Sequence, residues 1–147
     1  MVEKKTRKKE LSICRFEHLL LIFSAIIFID RVLKTIASNS CLGIFCIKRV
    51  ANFGAAFGIL EGYAWLFIIT ALIVLALIAV CIKNTKGMIK LSLVLIAAGT
   101  ISNLIDRLKF GYIIDIFSIA NTNAFNLADV SNTVGGAILL IEILKKK

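Results

Sequence analysis

One segment of this chain, from Ala64 to Ile82, runs for 19 residues without a charged side chain. A helix of that length rises about 28 Å, close to the roughly 30 Å hydrocarbon thickness of a bilayer. The chain as a whole is 59% apolar, with a mean hydropathy of +0.93. In 147 residues, this composition predicts one compact membrane-embedded unit rather than a soluble domain.

Three further segments are apolar enough to join this one in a helical bundle. We predict a single domain over residues 1–147, with two loops on one side of the membrane at about 38–63 and 107–127. We interpret the first segment as an uncleaved span, because charged rather than small residues follow its apolar core. The four predicted transmembrane helices cover about 16–37, 64–82, 88–106 and 128–144.

Basic residues are concentrated in three regions of the chain. Twelve of the 18 Lys and Arg residues lie in the amino-terminal tail, the middle loop and the carboxyl end: Lys4, Lys5, Arg7, Lys8, Lys9, Arg15, Lys83, Lys86, Lys90, Lys145, Lys146 and Lys147. The positive-inside rule predicts that these regions, including both termini, are cytoplasmic. Because this topology explains most of the net charge of +9, we expect membrane lipid rather than nucleic acid as a partner.

Every aspartate of the chain falls where a predicted helix meets an outer loop: Asp30, Asp106, Asp115 and Asp129. Ionisable groups at membrane depth are costly and usually functional. The four carboxyls therefore indicate a functional site at the outer face.

Helical spacing predicts partners for two of these aspartates. Asn103, Asp106 and Arg107 share one helix face, so we expect an ion pair between Asp106 and Arg107. Asp30 and Lys34 are spaced i, i+4, the better orientation for a helical pair, and Lys34 could also extend to the interface. Both aspartates are therefore expected to support the site rather than to react.

Asp115 and Asp129 have no cation close to them in sequence. Asn126 and Asp129 open the fourth helix, where capping accounts for one of the two. Two carboxyls close together in a low-dielectric site share one proton, which is the arrangement of an aspartic hydrolase. We predict that Asp115 and Asp129 form such a dyad, one as base and the other as acid.

Other chemistries have weaker support in the sequence. A small proton- or ion-coupled transporter subunit is the main alternative, although relays need acids distributed through the membrane. Cys41 and Cys46 in the first outer loop would suit either a disulfide or two free thiols, and a thiol oxidoreductase is a further alternative. The single histidine, His18, lies at the cytoplasmic end, so we expect no outer zinc site, no triad and no cofactor.

The outer loops have local signals of their own. The run IFCIKRVANF, residues 44–53, is rich in β-branched and aromatic residues and predicts a strand. The run YIIDIFSI, residues 112–119, is either extended or a continuation of the third helix, since so short a segment has no decisive periodicity.

Five short motifs in order resemble the lipoprotein signal peptidases, also called signal peptidase II. The motifs are D-x-x-x-K at 30–34, N-x-G-A-A-F-G at 52–58, N-x-x-D-R at 103–107, G-Y-I-I-D-I-F at 111–117 and F-N-x-A-D at 125–129. The resemblance implies four transmembrane helices with a small outer β-sheet cradle and a short helix. It also implies catalysis by Asp115 and Asp129, the same two carboxyls that lack a cation close in sequence.

The resemblance further implies an endopeptidase of the bacterial cytoplasmic membrane. Its substrate would be a prolipoprotein whose cysteine carries diacylglycerol, cut just before that cysteine at the outer face by a monomeric enzyme. The small residues Ala55, Ala56 and Gly58 would let the backbone approach the substrate. The residues expected to bind substrate or support the site are Asp30, Lys34, Asn52, Gly54, Asn103, Asp106, Arg107 and Asn126.

Overall fold

The computed structural model describes residues 2–54, 62–119 and 124–145, with side chains from Phe16 onward. It contains four long helices and a small antiparallel sheet at one end of the bundle. The helices are α1 (Val2–Ile36), α2 (Ala64–Cys81), α3 (Gly87–Phe110) and α4 (Leu127–Leu144), and the strands are β1 (Ser40–Leu42), β2 (Phe45–Asn52) and β3 (Ile113–Ile119).

Within these ranges, three segments are long and apolar enough to cross a membrane: Ala64–Asn84, Gly87–Phe110 and Leu127–Leu144. They coincide with three of the four predicted spans. The fourth, at about 16–37, falls within α1, and the count of four spans stays a prediction. Many large apolar side chains of α2 are exposed in the isolated chain, as expected for a helix surrounded by lipid.

Helices α3 and α4 pack closely because small residues lie between them. A Cβ atom at Gly99 would overlap the backbone of Ala128 and the side chain of Asn132, and one at Gly135 would overlap Ser92 and Ile96. Glycine at these positions lets the two backbones approach each other. This contact brings the start of α4 against the middle of α3.

The sheet has the order β1-β2-β3, with both pairs antiparallel. Strand β2 confirms the strand predicted within residues 44–53. Of residues 112–119, whose conformation the sequence left open, Ile113–Ile119 are extended in β3. The helix α3 ends at Phe110 and is capped by Gly111, whose φ of +80° is the left-handed conformation that commonly terminates helices.

Cys41 and Cys46, partners in the β1–β2 register, form a disulfide. This is one of the two states that the sequence left open. The small three-stranded sheet confirms the cradle implied by the family resemblance. The short outer helix is not present in the described parts of the outer loops, and Ala55, Ala56 and Gly58 lie outside the described residues.

Candidate active site

A network of four charged side chains lies where α1 meets α3. Lys34 Nζ lies 2.7 Å from the Asp30 carboxylate and 2.8 Å from the Asp106 carboxylate. Arg31 pairs with the same two carboxylates. Asp30 and Asp106 are fully buried and Lys34 is 2% exposed. Two cations therefore compensate two anions, as buried charges require.

This arrangement confirms the predicted pair of Asp30 and Lys34 but corrects two other predictions. Lys34 does not extend to the interface, because both of its carboxylate partners are buried. Asp106 does not pair with Arg107: its ion pairs among the described residues are with Arg31 and Lys34. Short-range helical spacing favoured Arg107, but cations on a neighbouring helix reach Asp106 instead.

Arg107 lies elsewhere in the site. Its guanidinium carbon lies 4.6 Å from the centre of the Phe67 ring, and its Nη2 approaches the Gly54 carbonyl oxygen at 3.5 Å. This is a cation–π contact between α3 and α2. Its charge also acts on both Asp115 and Asp129. Arg107 therefore contributes positive potential to the site without an ion pair to either carboxylate.

The buried network also holds the backbone next to the other two aspartates. Asp30 accepts a hydrogen bond from the Ala128 backbone N–H at 3.2 Å, one residue before Asp129. Asp106 accepts one from the Ile114 backbone N–H at 3.2 Å, one residue before Asp115. The four aspartates therefore form two layers. The ion-paired Asp30 and Asp106 hold the backbone beside Asp129 and Asp115, respectively.

Asp115 lies in β3 and is 2% exposed. Its carboxylate accepts hydrogen bonds from Asn52 Nδ2 at 2.9 Å and from Asn126 Nδ2 at 2.7 Å. Asn52 is held in turn by the Gly54 backbone N–H, which donates to its side-chain oxygen at 3.1 Å. Burial, together with the charge of Asp129, raises the pKa of Asp115 to about 6, although both amide hydrogen bonds oppose the shift.

Asp129 is half-buried in the first turn of α4. It accepts hydrogen bonds from Asn103 Nδ2 at 2.8 Å and from the Asn126 backbone N–H at 3.0 Å. The Asn126 side chain in return accepts from the Asp129 backbone N–H at 2.9 Å, which completes a capping box. Both residues therefore cap the helix, whereas the sequence predicted a cap from only one of them.

Asn103 and Asn126 connect the two layers. Asn126 Nδ2 donates to Asn103 Oδ1 at 3.1 Å, and Lys34 Nζ donates to the same oxygen at 3.4 Å. In the described part of the chain, neither Asp115 nor Asp129 forms an ion pair with a basic side chain. Neutral amides surround both carboxyls, a setting in which two neighbouring acids can share a proton.

Two participants were missed at the sequence level. Arg31 donates to both buried aspartates and to the Ser102 carbonyl oxygen, and the Ser102 hydroxyl donates to Asp30 at 2.6 Å. The signal for Arg31 was its place between Asp30 and Lys34, directly after the uncharged run at 19–29, since a charge at such a position needs a partner. No sequence signal distinguishes Ser102.

Fold and site together define a helical membrane protein in which two carboxyls, neither ion-paired with a described basic side chain, both accept hydrogen bonds from Asn126. A family model described as "Signal peptidase (SPase) II" matches residues 22–145. The chain belongs to this signal peptidase II family, as the five motifs predicted.

Curated relatives include two bacterial proteins named lipoprotein signal peptidase. The protein of Halothermothrix orenii is 39% identical over 106 residues, which cover 71% of this chain and 73% of that protein. The protein of Lactiplantibacillus plantarum is 34% identical over 139 residues, which cover 86% and 93%. A solved bacterial membrane enzyme, determined by the in meso method at 2.3 Å resolution, superposes with a TM-score of 0.81 at 26% identity, over 88% of each chain. Fold and family therefore agree along most of the chain.

Proposed function

We propose that this chain removes the signal peptide from diacylglyceryl-modified prolipoproteins, with Asp115 and Asp129 as its catalytic dyad. The observation that carries the proposal is the pairing of these two carboxyls through Asn126, which donates to both of them. Membership of the signal peptidase II family supports the activity. The comparisons give no support to the transporter alternative.

The proposed mechanism uses one proton shared by the two carboxyls. The ionised carboxyl takes a proton from water as the water oxygen attacks the scissile carbonyl carbon, while the protonated carboxyl donates its proton to the carbonyl oxygen. Collapse of the tetrahedral intermediate then breaks the carbon–nitrogen bond: the carboxyl that took the proton from water donates it to the leaving nitrogen, and the other carboxyl takes a proton from a hydroxyl of the intermediate, so that the dyad again shares one proton. Because burial raises the pKa of Asp115 to about 6, the dyad keeps its shared proton to higher pH than an ordinary carboxyl would.

The surrounding side chains prepare the dyad for this reaction. Asn52 and Asn126 orient Asp115, whereas Asn103 and the Asn126 backbone orient Asp129. Each carboxyl thus has two donors, which keep its orientation fixed without neutralising its charge. Such preorganised contacts hold reacting groups in a productive geometry.

The proposed substrate matches the location of the site. A diacylglyceryl group stays in the bilayer, so the peptidase needs its acids at a helix end, where the adjoining peptide bond is accessible. Asp129 lies in the first turn of α4 and Asp115 in the sheet at that end of the bundle. We assign this end to the outer face of the bacterial cytoplasmic membrane, with both termini in the cytoplasm, and propose that the enzyme acts as a monomer.

The thiol oxidoreductase alternative has no support in the site geometry. Cys41 and Cys46 bridge two neighbouring strands of the hairpin, and among the described residues the hydrogen-bond donors to Asp115 and Asp129 are asparagine side chains and a backbone N–H rather than thiols. We interpret the disulfide as a structural link that holds the β1–β2 hairpin. Replacing both cysteines by alanine is expected to leave peptide cleavage intact.

A cleavage assay tests the proposed function. A peptide with a diacylglyceryl cysteine is incubated with the wild type, Asp115→Asn and Asp129→Asn, and the same peptide without lipid is run in parallel. Each variant is expected to lose cleavage at least about 10³-fold, because each removes a proton-transfer group. Glu142→Gln is the matched control, since it makes the same change in the last turns of α4. Near-wild-type cleavage by either Asp variant would exclude the dyad.

A further inference from the structure

A cavity of about 160 Å³ lies beside the buried network, between α1, β2 and the end of α3. A space of this size admits several water molecules. Four of its eight lining residues are basic and none is acidic. The lining residues are Arg31, Lys34, Thr35, Arg49, Ile105, Lys109, Phe110 and Ile114.

The four cations of the cavity differ in how their charge is compensated. Arg31 and Lys34 pair with Asp30 and Asp106, so the charge of the inner wall is balanced. Arg49 and Lys109 are exposed at the rim and form no ion pair with any described side chain. The cavity therefore carries an excess of two positive charges.

Arg49, which lines the cavity, lies at an irregularity in strand β2. The register between β2 and β3 shifts between Ile47 and Val50, so Lys48 and Arg49 lie in an irregular part of the strand. Such bulges redirect side chains and are treated as built features of a sheet. Arg49 lines the cavity, whereas its neighbour Lys48 is exposed and does not.

From the length of α3, we expect the cavity to lie at the depth of phospholipid headgroups. The 24 residues of α3 extend about 36 Å, which exceeds the roughly 30 Å hydrocarbon core, so a helix end reaches the headgroup region. Lys109 is the next-to-last residue of α3. Ile36 and Leu108, which are adjacent in sequence to the lining residues Thr35 and Lys109, are 67% and 66% exposed. Positive charge at headgroup depth beside exposed apolar side chains suits an amphiphilic anion.

We propose that this cavity binds the phosphate group of an anionic phospholipid, with Arg49 and Lys109 as its charged ligands. Guanidinium and ammonium groups are the usual protein donors to phosphate. The acyl chains of the lipid would extend from the cavity into the hydrocarbon core. This site is additional to the peptidase site and to the lipid of the substrate.

The test measures lipid binding to the purified full chain in detergent by native mass spectrometry. The ligands are phosphatidylglycerol, which is an anionic phosphodiester, and zwitterionic phosphatidylcholine; inorganic phosphate is added as a competitor. The variants are Arg49→Gln, Lys109→Gln and the double variant. Lys48→Gln is the matched control, because it removes an adjacent exposed charge outside the cavity. The readout does not depend on peptidase activity.

We expect phosphatidylglycerol to bind more tightly than phosphatidylcholine. Each cavity variant should weaken this binding roughly fivefold and the double variant more, as expected for loss of one charge at a lipid headgroup. Lys48→Gln should bind as the wild type does. Equal losses in all three single variants, or equal binding of the two lipids, would overturn the proposal. Binding of inorganic phosphate as tight as that of phosphatidylglycerol would retain the anion site but overturn phospholipid as its ligand.

Discussion

Asn126 donates its side-chain N–H to Asp115 over 2.7 Å and its backbone N–H to Asp129 over 3.0 Å. One residue thus joins the two carboxyls that we propose as the dyad. The same side chain caps α4 through its oxygen, which accepts from the Asp129 backbone. Helix initiation and alignment of the site are therefore coupled at a single position.

Two substitutions of Asn126 are expected to separate these roles. Asn126→Ser keeps a capping oxygen but is too short to reach Asp115, so stability should stay near that of the wild type while cleavage falls about 100-fold. Asn126→Ala removes the cap as well and should cost about 1 kcal/mol of stability. Thermal unfolding and cleavage rates measured on both variants check this. Full activity in Asn126→Ser would show that the contact with Asp115 is dispensable.

The raised pKa of Asp115 predicts the pH dependence of cleavage. The dyad needs one proton, so kcat/KM is expected to fall as pH rises through an apparent pKa of about 6. The hydrogen bond from Asn52 stabilises the ionised carboxylate and lowers this pKa. Asn52→Leu should therefore move the alkaline limb of the profile to higher pH. If a folded Asn52→Leu variant had its alkaline limb at the same or a lower pH, the limb would not report the pKa of Asp115.

The raised pKa of Asp115 also makes the free energy of unfolding depend on pH. Because the folded pKa of Asp115 lies above the ordinary value of 3.8, the folded state holds the proton more tightly than the unfolded state. The contribution of this group to stability is therefore greatest below about pH 4 and falls as pH rises towards about 6. Asp115→Asn should remove this part of the pH dependence, as measured by thermal unfolding at several pH values. The same pH dependence of unfolding in the wild type and in Asp115→Asn would contradict the raised pKa of Asp115.

The buried network predicts a large loss of stability when one cation is removed. Lys34→Met leaves Asp30 and Asp106 with Arg31 alone, and breaking a buried pair costs about 3–5 kcal/mol. The comparison variant is Lys145→Met, which breaks the exposed pair with Glu142 and should cost at most about 1 kcal/mol. Unfolding of both variants in detergent measures the difference. Similar losses would mean that burial of the network contributes little.

Gly99 in α3 and Gly136 in α4 are expected to differ in how much stability is lost when each is replaced by alanine. Gly99→Ala would force α3 and α4 apart near Asp129, at a cost of about 1–3 kcal/mol and with reduced cleavage. Gly136→Ala has nothing within 4 Å of its added methyl group and should be neutral or slightly stabilising. Thermal unfolding and cleavage assays on both variants check these effects. A Gly99→Ala enzyme with unchanged stability and rate would contradict the close helix packing.

Local sequence patterns predicted much of this fold for a physical reason. An uncharged run such as Ala64–Ile82 has few alternatives to a spanning helix, and the β-branched residues around Val50 favour a strand. The pair of Asp30 and Lys34 was predictable because it lies within one helix. Sequence alone left the conformation of residues 112–119 open, because β3 forms through pairing with the distant strand β2.

Contacts between helices were the features that sequence spacing could not identify. Asp106 has Arg107 beside it in sequence, yet it pairs with Arg31 and Lys34 because α1 packs against α3. The link from Asn103 to Asp129 depends likewise on the close approach of α3 and α4. Three-dimensional packing, rather than residue type, selects the partner when several are chemically equivalent.

Comparing single and double variants of the dyad tests the central claim most directly. Rates of lipopeptide cleavage are measured for Asp115→Asn, Asp129→Asn and the double variant, with Glu142→Gln as the control. If the two carboxyls act as one unit, each single variant loses at least about 10³-fold and the double variant is little slower than either. Losses that multiply in the double variant, or a single variant that cleaves at the wild-type rate, would contradict a shared-proton dyad.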